Sequence, residues 1–192
     1  MSELFSIQLQ NQQQSRDGVW LDLPTTTEQV QAALRQIGIS SDNPQGLFIS
    51  GYFAEEEKRF AISYNMVLAS NVDELNFLAS RLETLSTGER AELNAALQAP
   101  QSELFSIGRI TDFPENVDYY VHLPDVHGPA QLGDYYLNRS GMVDMPEEWK
   151  GGIDTAQFGR YVAQQEQGAF TQYGYLVKSG DAWQKVHEGQ PV

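Results

Sequence analysis

Carboxylates are the side chains of this sequence that are best placed to do chemistry. The chain carries 26 Asp and Glu against 12 Lys and Arg, a formal net charge of −14 at pH 7. Two runs, Glu55–Glu57 and Glu147–Glu148, place acids side by side, and a carboxylate pair can serve as the acid and base of a hydrolase. Catalytic carboxylates need a pocket that gives the two groups opposed environments, whereas these runs have the composition of exposed segments. A carboxylate-dependent hydrolase is therefore the less favoured interpretation.

One short segment has the residue types of a metal site. HLPDVH contains His122, Asp125 and His127, although such residues in a loop are usually solvated. The chain has no cysteine, which excludes disulfides, thiol nucleophiles and thiolate metal ligands. It also has no Gly-rich phosphate loop, GxSxG, HExxH or EF-hand motif. We predict that the protein is not an enzyme, with no catalytic residue, no metal and no cofactor.

The acidic charge is the stronger functional signal, since every third of the chain has an acidic excess. Such a protein repels nucleic acid and anionic membranes over about a Debye length and attracts basic protein surfaces. Acids on one face of a strand recur every ~6.6 Å, and helix neighbours lie about 5–6 Å apart. That pitch is comparable with the spacing of phosphates along DNA. An acidic surface that only keeps the protein soluble remains the alternative.

The elements that must hold these acids begin with an α+β region. Glu3–Gln10 and Gly18–Pro24 alternate like the strands of a hairpin. A helix follows, for which Thr25 and Glu28 have the spacing of a capping box. Gln45–Ala54 indicates a third strand. We predict a three-stranded sheet with one helix over residues 1–65.

The next segment, residues 66–106, has helical periodicity. Leu75, Leu78, Leu82 and Leu85 recur three and four apart, and their helix follows a capping-box pair of Ser70 and Asp73. A second helix opens at Ser86 with Glu89.

Residues 107–192 return to an α+β pattern. VDYYVHLP is typical of a strand, PAQLGDYYLNRSG and DTAQFGRYVAQQEQG of helices, and Asp154 caps the second helix. AFTQYGYLV and AWQKVH, joined by KSGD, indicate a final strand pair. The pattern predicts an α+β chain of three domains, with residues 1–65 α+β, 66–106 helical and 107–192 α+β.

The hexapeptide SELFSI occurs twice, at Ser2–Ile7 and Ser102–Ile107. Each copy is followed by Leu-Pro at the same distance, yet the intervening residues differ. A duplicated unit is therefore one interpretation. We predict that the first copy is a strand, that the second lies at a domain junction where Ser106 caps a short helix, and that neither carries chemistry.

Three segments carry a resemblance to a known family. GVWLDLP, VDELNFLASRLETL and DYYLNRSGMVDMPEEWKGGIDTAQFGRYV resemble the ArdA antirestriction proteins, and the most specific pieces are DELNFLA, MPEEW and IDTAQFGR. The likeness covers nearly the whole chain in the same order and is weakest in the first ten and last fifteen residues.

The resemblance implies an elongated, three-domain, usually dimeric mimic of bent B-form DNA. Such a protein occupies the DNA groove of type I restriction-modification enzymes and uses surface carboxylates in place of phosphates. Asp73 and Glu74 lie in the segment that is similar to the family's antirestriction motif. The carboxylates expected to bind the partner are Asp73, Glu74, Glu83, Glu89, Glu92, Asp112, Glu115, Asp118, Asp125, Asp134, Asp144, Glu147, Glu148 and Asp154.

The partner expected from charge and resemblance is thus the basic DNA channel of a restriction-modification enzyme. We expect a homodimer that binds neither nucleic acid nor membranes directly. The N-terminus lacks a signal-peptide pattern, and no apolar run reaches the ~18 residues of a membrane span, which predicts a cytoplasmic protein. An acidic inhibitor of some other basic protein remains the alternative function.

Overall fold

The computed structural model describes residues 3–13, 17–40, 44–100 and 102–187. Within them the chain is α+β, as predicted, with six strands and eight α-helices. The strands are β1 (Phe5–Asn11), β2 (Val19–Leu23), β3 (Leu47–Phe53), β4 (Tyr120–Leu123), β5 (Ala169–Thr171) and β6 (Gly174–Lys178). The helices are α1 (Thr27–Gln36), α2 (Tyr64–Leu68), α3 (Val72–Glu83), α4 (Thr87–Gln98), α5 (Ile107–Thr111), α6 (Pro129–Asp134), α7 (Glu147–Lys150) and α8 (Thr155–Gln165).

The chain divides into two compact units. Unit 1 consists of residues 1–86, 104–115 and 185–192, and unit 2 of residues 87–103 and 116–184. The segment 66–106 is shared between them, with α3 in unit 1 and α4 in unit 2. The three-domain division stays a prediction.

The sheet of unit 1 confirms the predicted hairpin and third strand. Its order is β2-β1-β3, and both pairings are antiparallel. Burial alternates along β1, so that Ile7 and Leu9 are fully buried while Ser6, Gln8 and Gln10 are partly exposed. This alternation follows from the period of two in a strand with one face on the core.

Two helix caps of unit 1, those of α1 and α3, differ from prediction by one residue. Thr26, not Thr25, caps α1: its hydroxyl accepts from the backbone N–H of Gln29, and the Gln29 side chain accepts from the N–H of Thr26. The backbone N–H of Thr25 donates instead to Asn76 Oδ1 at 2.7 Å. The backbone of Thr25 is thus bonded to α3, and α1 begins one residue later than predicted.

The cap of α3 shows the same shift. Asn71 Oδ1 accepts from the N–H of Glu74 at 2.8 Å, whereas the hydroxyl of Ser70 donates to the carbonyl of Met66 at 2.9 Å. Ser70 is thus engaged by the end of α2 and is not free to cap the next helix.

The predicted leucine stripe of α3 is confirmed. Leu75, Leu78 and Leu82 are fully buried, and Leu85 is 7% exposed. The helix packs against α5, which begins as predicted, because the hydroxyl of Ser106 accepts from the N–H of Arg109 at 3.3 Å.

The sheet of unit 2 corrects the predicted final strand pair. Both strands lie within AFTQYGYLV: β5 and β6 form an antiparallel pair, and β4 pairs with the other edge of β6. The segment AWQKVH is not a strand. Gly174 has a φ of +118°, which favours glycine and allows the chain to reverse there.

A side chain rather than a strand satisfies the backbone of Gln184. Asn116 Oδ1 accepts from the N–H of Gln184 at 2.7 Å, and Asn116 Nδ2 donates to the Gln184 carbonyl at 2.9 Å. The backbone groups of Gln184 are therefore paired with a side chain instead of with a neighbouring strand.

Two glycines bring α6 and α8 into backbone contact. A Cβ added to Gly133 would lie 1.9 Å from the carbonyl oxygen of Thr155, and one added to Gly159 would lie 1.8 Å from that of Pro129. Any side chain at either position would force the helices apart. The segment between the two helices, residues 135–154, therefore begins and ends at helices that are in direct contact.

Candidate partner-binding surface

The fourteen candidate carboxylates are distributed over both units. Unit 1 contains Asp73, Glu74, Glu83, Asp112 and Glu115. Unit 2 contains Glu89, Glu92, Asp118, Asp125, Asp134, Asp144, Glu147, Glu148 and Asp154. Their environments differ enough to separate surface charges from structural ones.

The segment between α6 and α8 presents four carboxylates to solvent within eleven residues. Asp144, Glu147, Glu148 and Asp154 are all exposed. Glu147 and Glu148 form the first turn of α7, where the helix dipole favours negative charge. Asp154 is also structural, because it caps α8 by accepting from the N–H of Gln157 at 3.0 Å. This segment is the most accessible group of candidates.

Helix α3 contributes acids at both ends. Asp73 is exposed and Glu74 half-buried in its first turn, where the dipole again stabilises them. Glu83 is the last residue of the same helix and is half-buried.

Two candidate carboxylates already form an ion pair with an arginine of the same chain. Glu115 forms an ion pair with Arg81. Asp134 lies 2.8 Å from the side-chain amide of Asn138 and 2.7 Å from the guanidinium of Arg139. The hydrogen bonds from Asn138 and then Arg139 lower the pKa of Asp134. A partner's cation would have to compete with these contacts.

Glu92 does not fit the predicted role. Burial, reinforced by the nearby charges of Glu89 and Asp118, raises the pKa of Glu92 to about 8. One of its carboxylate oxygens is buried without a hydrogen-bond partner. Because a group with that pKa is largely protonated at neutral pH, Glu92 supplies little of the charge that a phosphate carries.

Asp112 is a second correction, because its side chain belongs to the interior of unit 1. The residue is 3% exposed. Its Oδ1 accepts from the backbone N–H of His187 at 2.9 Å and lies 2.8 Å from Nδ1 of the same ring. The carboxylate therefore holds the C-terminal segment against the end of α5 and is not presented to a partner.

The structure does not assemble the alternative metal or hydrolase sites. Nε2 of His122 lies 2.7 Å from the carbonyl oxygen of Tyr173, while His127 and Asp125 are exposed. In the described ranges no three His, Cys, Asp or Glu side chains are grouped so as to hold a metal ion. The run Glu55–Glu57 lies on the surface, with Glu55 paired to Lys58 at 2.9 Å.

Glu166 is a carboxylate that sequence reasoning missed. It accepts hydrogen bonds from the hydroxyls of Tyr136 at 2.8 Å and Tyr175 at 2.6 Å. Burial first, and then the bond to Glu166, raises the pKa of both tyrosines. Glu166 also borders a cavity of about 310 Å³ that is lined by Pro100 and Phe170 among others. No spacing signal marks it, because its partners lie nine and thirty residues away.

The exposed aromatic residues of the first sheet were also missed. Trp20 is 50% exposed and Phe53 is 55% exposed. A signal existed for Trp20: alternation in GVWLDLP places it on the face opposite the buried Leu21 and Leu23.

Comparison with known protein families shows the family to which this chain belongs. The model of a family described as Antirestriction protein (ArdA) matches residues 13–177. The chain belongs to the ArdA family. The matched range includes every candidate carboxylate and omits the two ends of the chain, where the resemblance is weakest.

ArdA membership makes this chain an antirestriction protein, of an inhibitor type directed at restriction-modification enzymes. No curated protein matches the chain. None of the helices in the part that the structure describes has the length and apolar character needed to cross a lipid bilayer. The expected homodimer stays a prediction.

Proposed function

We propose that this ArdA protein inhibits a type I restriction-modification enzyme by occupying its DNA-binding channel, without chemistry of its own. Exposed carboxylates stand in for DNA phosphates and bind the Lys and Arg side chains that line the channel. DNA is then excluded by direct competition. The observation that carries the proposal is the exposed acidic segment of residues 144–154, which belongs to a chain of this family.

The carboxylates proposed for this role are the predicted ones without Asp112 and Glu92. We call the remaining twelve the acidic surface: Asp73, Glu74, Glu83, Glu89, Glu115, Asp118, Asp125, Asp134, Asp144, Glu147, Glu148 and Asp154. Individual exposed ion pairs contribute little, about 0.2–1 kcal/mol each, so inhibition must rest on many of them acting together.

The first test is cleavage of unmodified DNA by a purified type I restriction enzyme, with the protein titrated in at two salt concentrations. We expect inhibition near a stoichiometric ratio, relief by excess DNA, and weaker inhibition at the higher salt, because screening weakens charge pairing. An acidic inhibitor of some other basic protein would leave cleavage intact, which would refute the proposal.

A pair of matched variants locates the effect. In one variant Asp144→Asn, Glu147→Gln and Glu148→Gln remove three exposed charges from the acidic surface. In the control, Glu55→Gln, Glu56→Gln and Glu57→Gln remove three exposed charges elsewhere. The first variant loses up to three ion pairs with the enzyme, each of ordinary surface strength. We therefore expect its inhibitory potency to fall by about 3- to 100-fold.

The control variant should lose clearly less inhibition than the first. Equal losses in both would mean that total charge, rather than the acidic surface, governs binding. That result would contradict the assignment of residues 144–148 while leaving the family relationship untouched.

A further inference from the structure

The outer face of the first sheet carries aromatic side chains where an exposed sheet normally carries polar ones. Register places Ser6 opposite Phe53 on one side and opposite Asp22 on the other. Directly opposed residues of antiparallel strands project from the same face. Since the hydroxyl of Ser6 donates to Asp22 Oδ1 at 2.6 Å, Phe53, Ser6 and Asp22 form one row across this outer face.

The next rows add two further rings. Gln8 lies opposite Trp20 on β2 and opposite Gly51 on β3, and Gln10 lies opposite Phe48. We call Trp20, Phe48 and Phe53 the aromatic platform. Their exposed fractions are 50%, 36% and 55%, although an antiparallel sheet with one solvated face normally alternates apolar-in and polar-out.

A glycine lets the indole of Trp20 lie across the sheet. The indole reaches from β2 over β1, so that a Cβ added to Gly51 on β3 would lie 3.0 Å from Cη2 of Trp20. A strand glycine often marks close approach of another group. The glycine therefore leaves room for the indole to reach β3, and the Trp20 side chain stays 50% exposed.

Charge decides what such a platform binds. Nucleic acid bases also stack on exposed rings of a sheet, but the net charge of −14 opposes any polyanion. Asp22, exposed in the same face, favours a cationic ligand. Among protein side chains, the arginine guanidinium both stacks on an aromatic face and pairs with a carboxylate.

We propose that the aromatic platform binds arginine side chains of a basic protein partner by stacking, with Asp22 pairing their charge. The inference rests on the proposed function in one respect: the partner is the restriction-modification enzyme whose DNA channel the acidic surface occupies. The platform would add a preference for arginine in unit 1, because the guanidinium stacks on aromatic rings, whereas a carboxylate alone also pairs with lysine.

The direct test compares fluorescently labelled oligo-arginine and oligo-lysine peptides of equal length by anisotropy. The wild-type chain should bind the arginine peptide about 3- to 30-fold more tightly, the range that a cation–π contact covers between exposed and desolvated sites. Trp20→Leu keeps apolar cover but removes the indole, so it should reduce this preference to near one. An unchanged preference in that variant would overturn the proposal.

Phe105→Ala is the matched control, because Phe105 is 67% exposed yet lies outside the sheet, beneath the guanidinium of Arg109. It should leave the arginine preference unchanged. Phe53→Ala provides a second platform variant, so that the proposal stays testable if Trp20→Leu impairs folding; circular dichroism identifies that case. The preference should fall in Phe53→Ala as well, and its persistence there would count against the platform.

The cleavage assay separates this inference from the proposed function. If wild type inhibits the enzyme and Trp20→Leu inhibits about 3- to 30-fold less, the platform contacts the enzyme. If wild type inhibits and the variant is equally potent, the platform assignment fails while the proposed function stands. If wild type does not inhibit, the proposed function fails, and the peptide result alone decides whether the platform binds arginine.

Two other occupants are distinguished by the same variants. Tight binding of a single-stranded oligonucleotide that Trp20→Leu abolishes would overturn the proposal in favour of base stacking. A change of oligomeric state in Trp20→Leu, measured by sedimentation, would overturn it in favour of an interface with a second copy of the chain.

Discussion

The end of α5 and the segment between α6 and α8 both carry acids that have the same appearance in the sequence. At the end of α5, Asp112 is 3% exposed and bonded to His187. In the other segment, Glu147 and Glu148 stand in solvent. The first carboxylate is bonded within the fold, whereas the other two remain available to a partner.

The difference shows that the number of Asp and Glu residues in a sequence overstates the number of charged carboxylates that can bind a partner. A carboxylate in the interior either finds fixed donors, as Asp112 does, or retains its proton, as Glu92 does. Only acids that remain solvated keep both their charge and their freedom to pair with an incoming cation. The comparison can be tested by substituting acids of each class and measuring stability.

Asp112→Ala should produce the largest loss. It removes the acceptor of the His187 N–H and leaves a small void beside the end of α5. Leaving this partly buried donor unpaired, together with the poorer packing at the site of the buried Asp112, costs about 2–4 kcal/mol of unfolding free energy. Urea denaturation measures it. Asp112→Asn keeps an acceptor oxygen and should lose clearly less; equal losses in the two variants would mean that the hydrogen bond is not what stabilises this region.

Glu92→Gln should act in the opposite direction above neutral pH. The folded chain holds the Glu92 proton up to about pH 8, the value of its raised pKa, whereas the unfolded chain releases it near 4.5. Stability from this group is therefore lost as the pH rises between those values. Glutamine cannot ionise, so the variant should be more stable than wild type at pH 8.5 by about 1–3 kcal/mol.

The control for Glu92 is the pH profile itself. The stability difference between Glu92→Gln and wild type should grow from pH 5 to pH 8.5 in thermal or urea unfolding. Glu148→Gln, at an exposed acid, should show no such growth. A constant difference across that range would show that Glu92 is ionised in the folded chain at neutral pH.

The fold could be predicted where local pattern and burial agree. The sequence gives strands β1 and β2 and helix α3 one apolar face each, through alternation in the strands and a leucine stripe in the helix. The structure confirms all three elements. Two predicted caps, Thr25 and Ser70, lie one residue before the observed ones, because adjacent polar residues such as Ser70 and Asn71 have similar capping propensities. The hydroxyl of Ser70 bonds to the carbonyl of Met66 in the preceding helix, which leaves Asn71 to cap α3.

The repeated hexapeptide shows why local sequence alone is insufficient. Phe5 in the first copy is 3% exposed within β1, whereas Phe105 in the second is 67% exposed just before α5. The helix could be anticipated because Ser106 is a good cap. The burial of Phe5 and the exposure of Phe105 could not be anticipated, because they depend on strands and helices that are distant in sequence.

The candidate surface was predictable in outline only. Exposed acids such as Glu147 follow from a polar segment next to a proline, and their exposure is confirmed. Removing Asp112 and Glu92 from the set required the three-dimensional structure, because the bond of Asp112 to His187 and the desolvation of Glu92 beside Asp118 join residues distant in sequence. The role of Glu166 as acceptor for two tyrosines has the same origin.

The smallest effect on stability is expected from the double variant Glu147→Gln and Glu148→Gln. Both side chains are exposed, and the substitutions break the Glu147–Lys150 ion pair of 2.6 Å, which joins neighbours on α7. The unfolding free energy should stay within about 0.5 kcal/mol of wild type. Inhibition of the restriction enzyme should weaken nonetheless, since two charges are removed from the acidic surface. A destabilisation comparable with that of Asp112→Ala would mean that these acids are structural, and the distinction between the two regions would no longer hold.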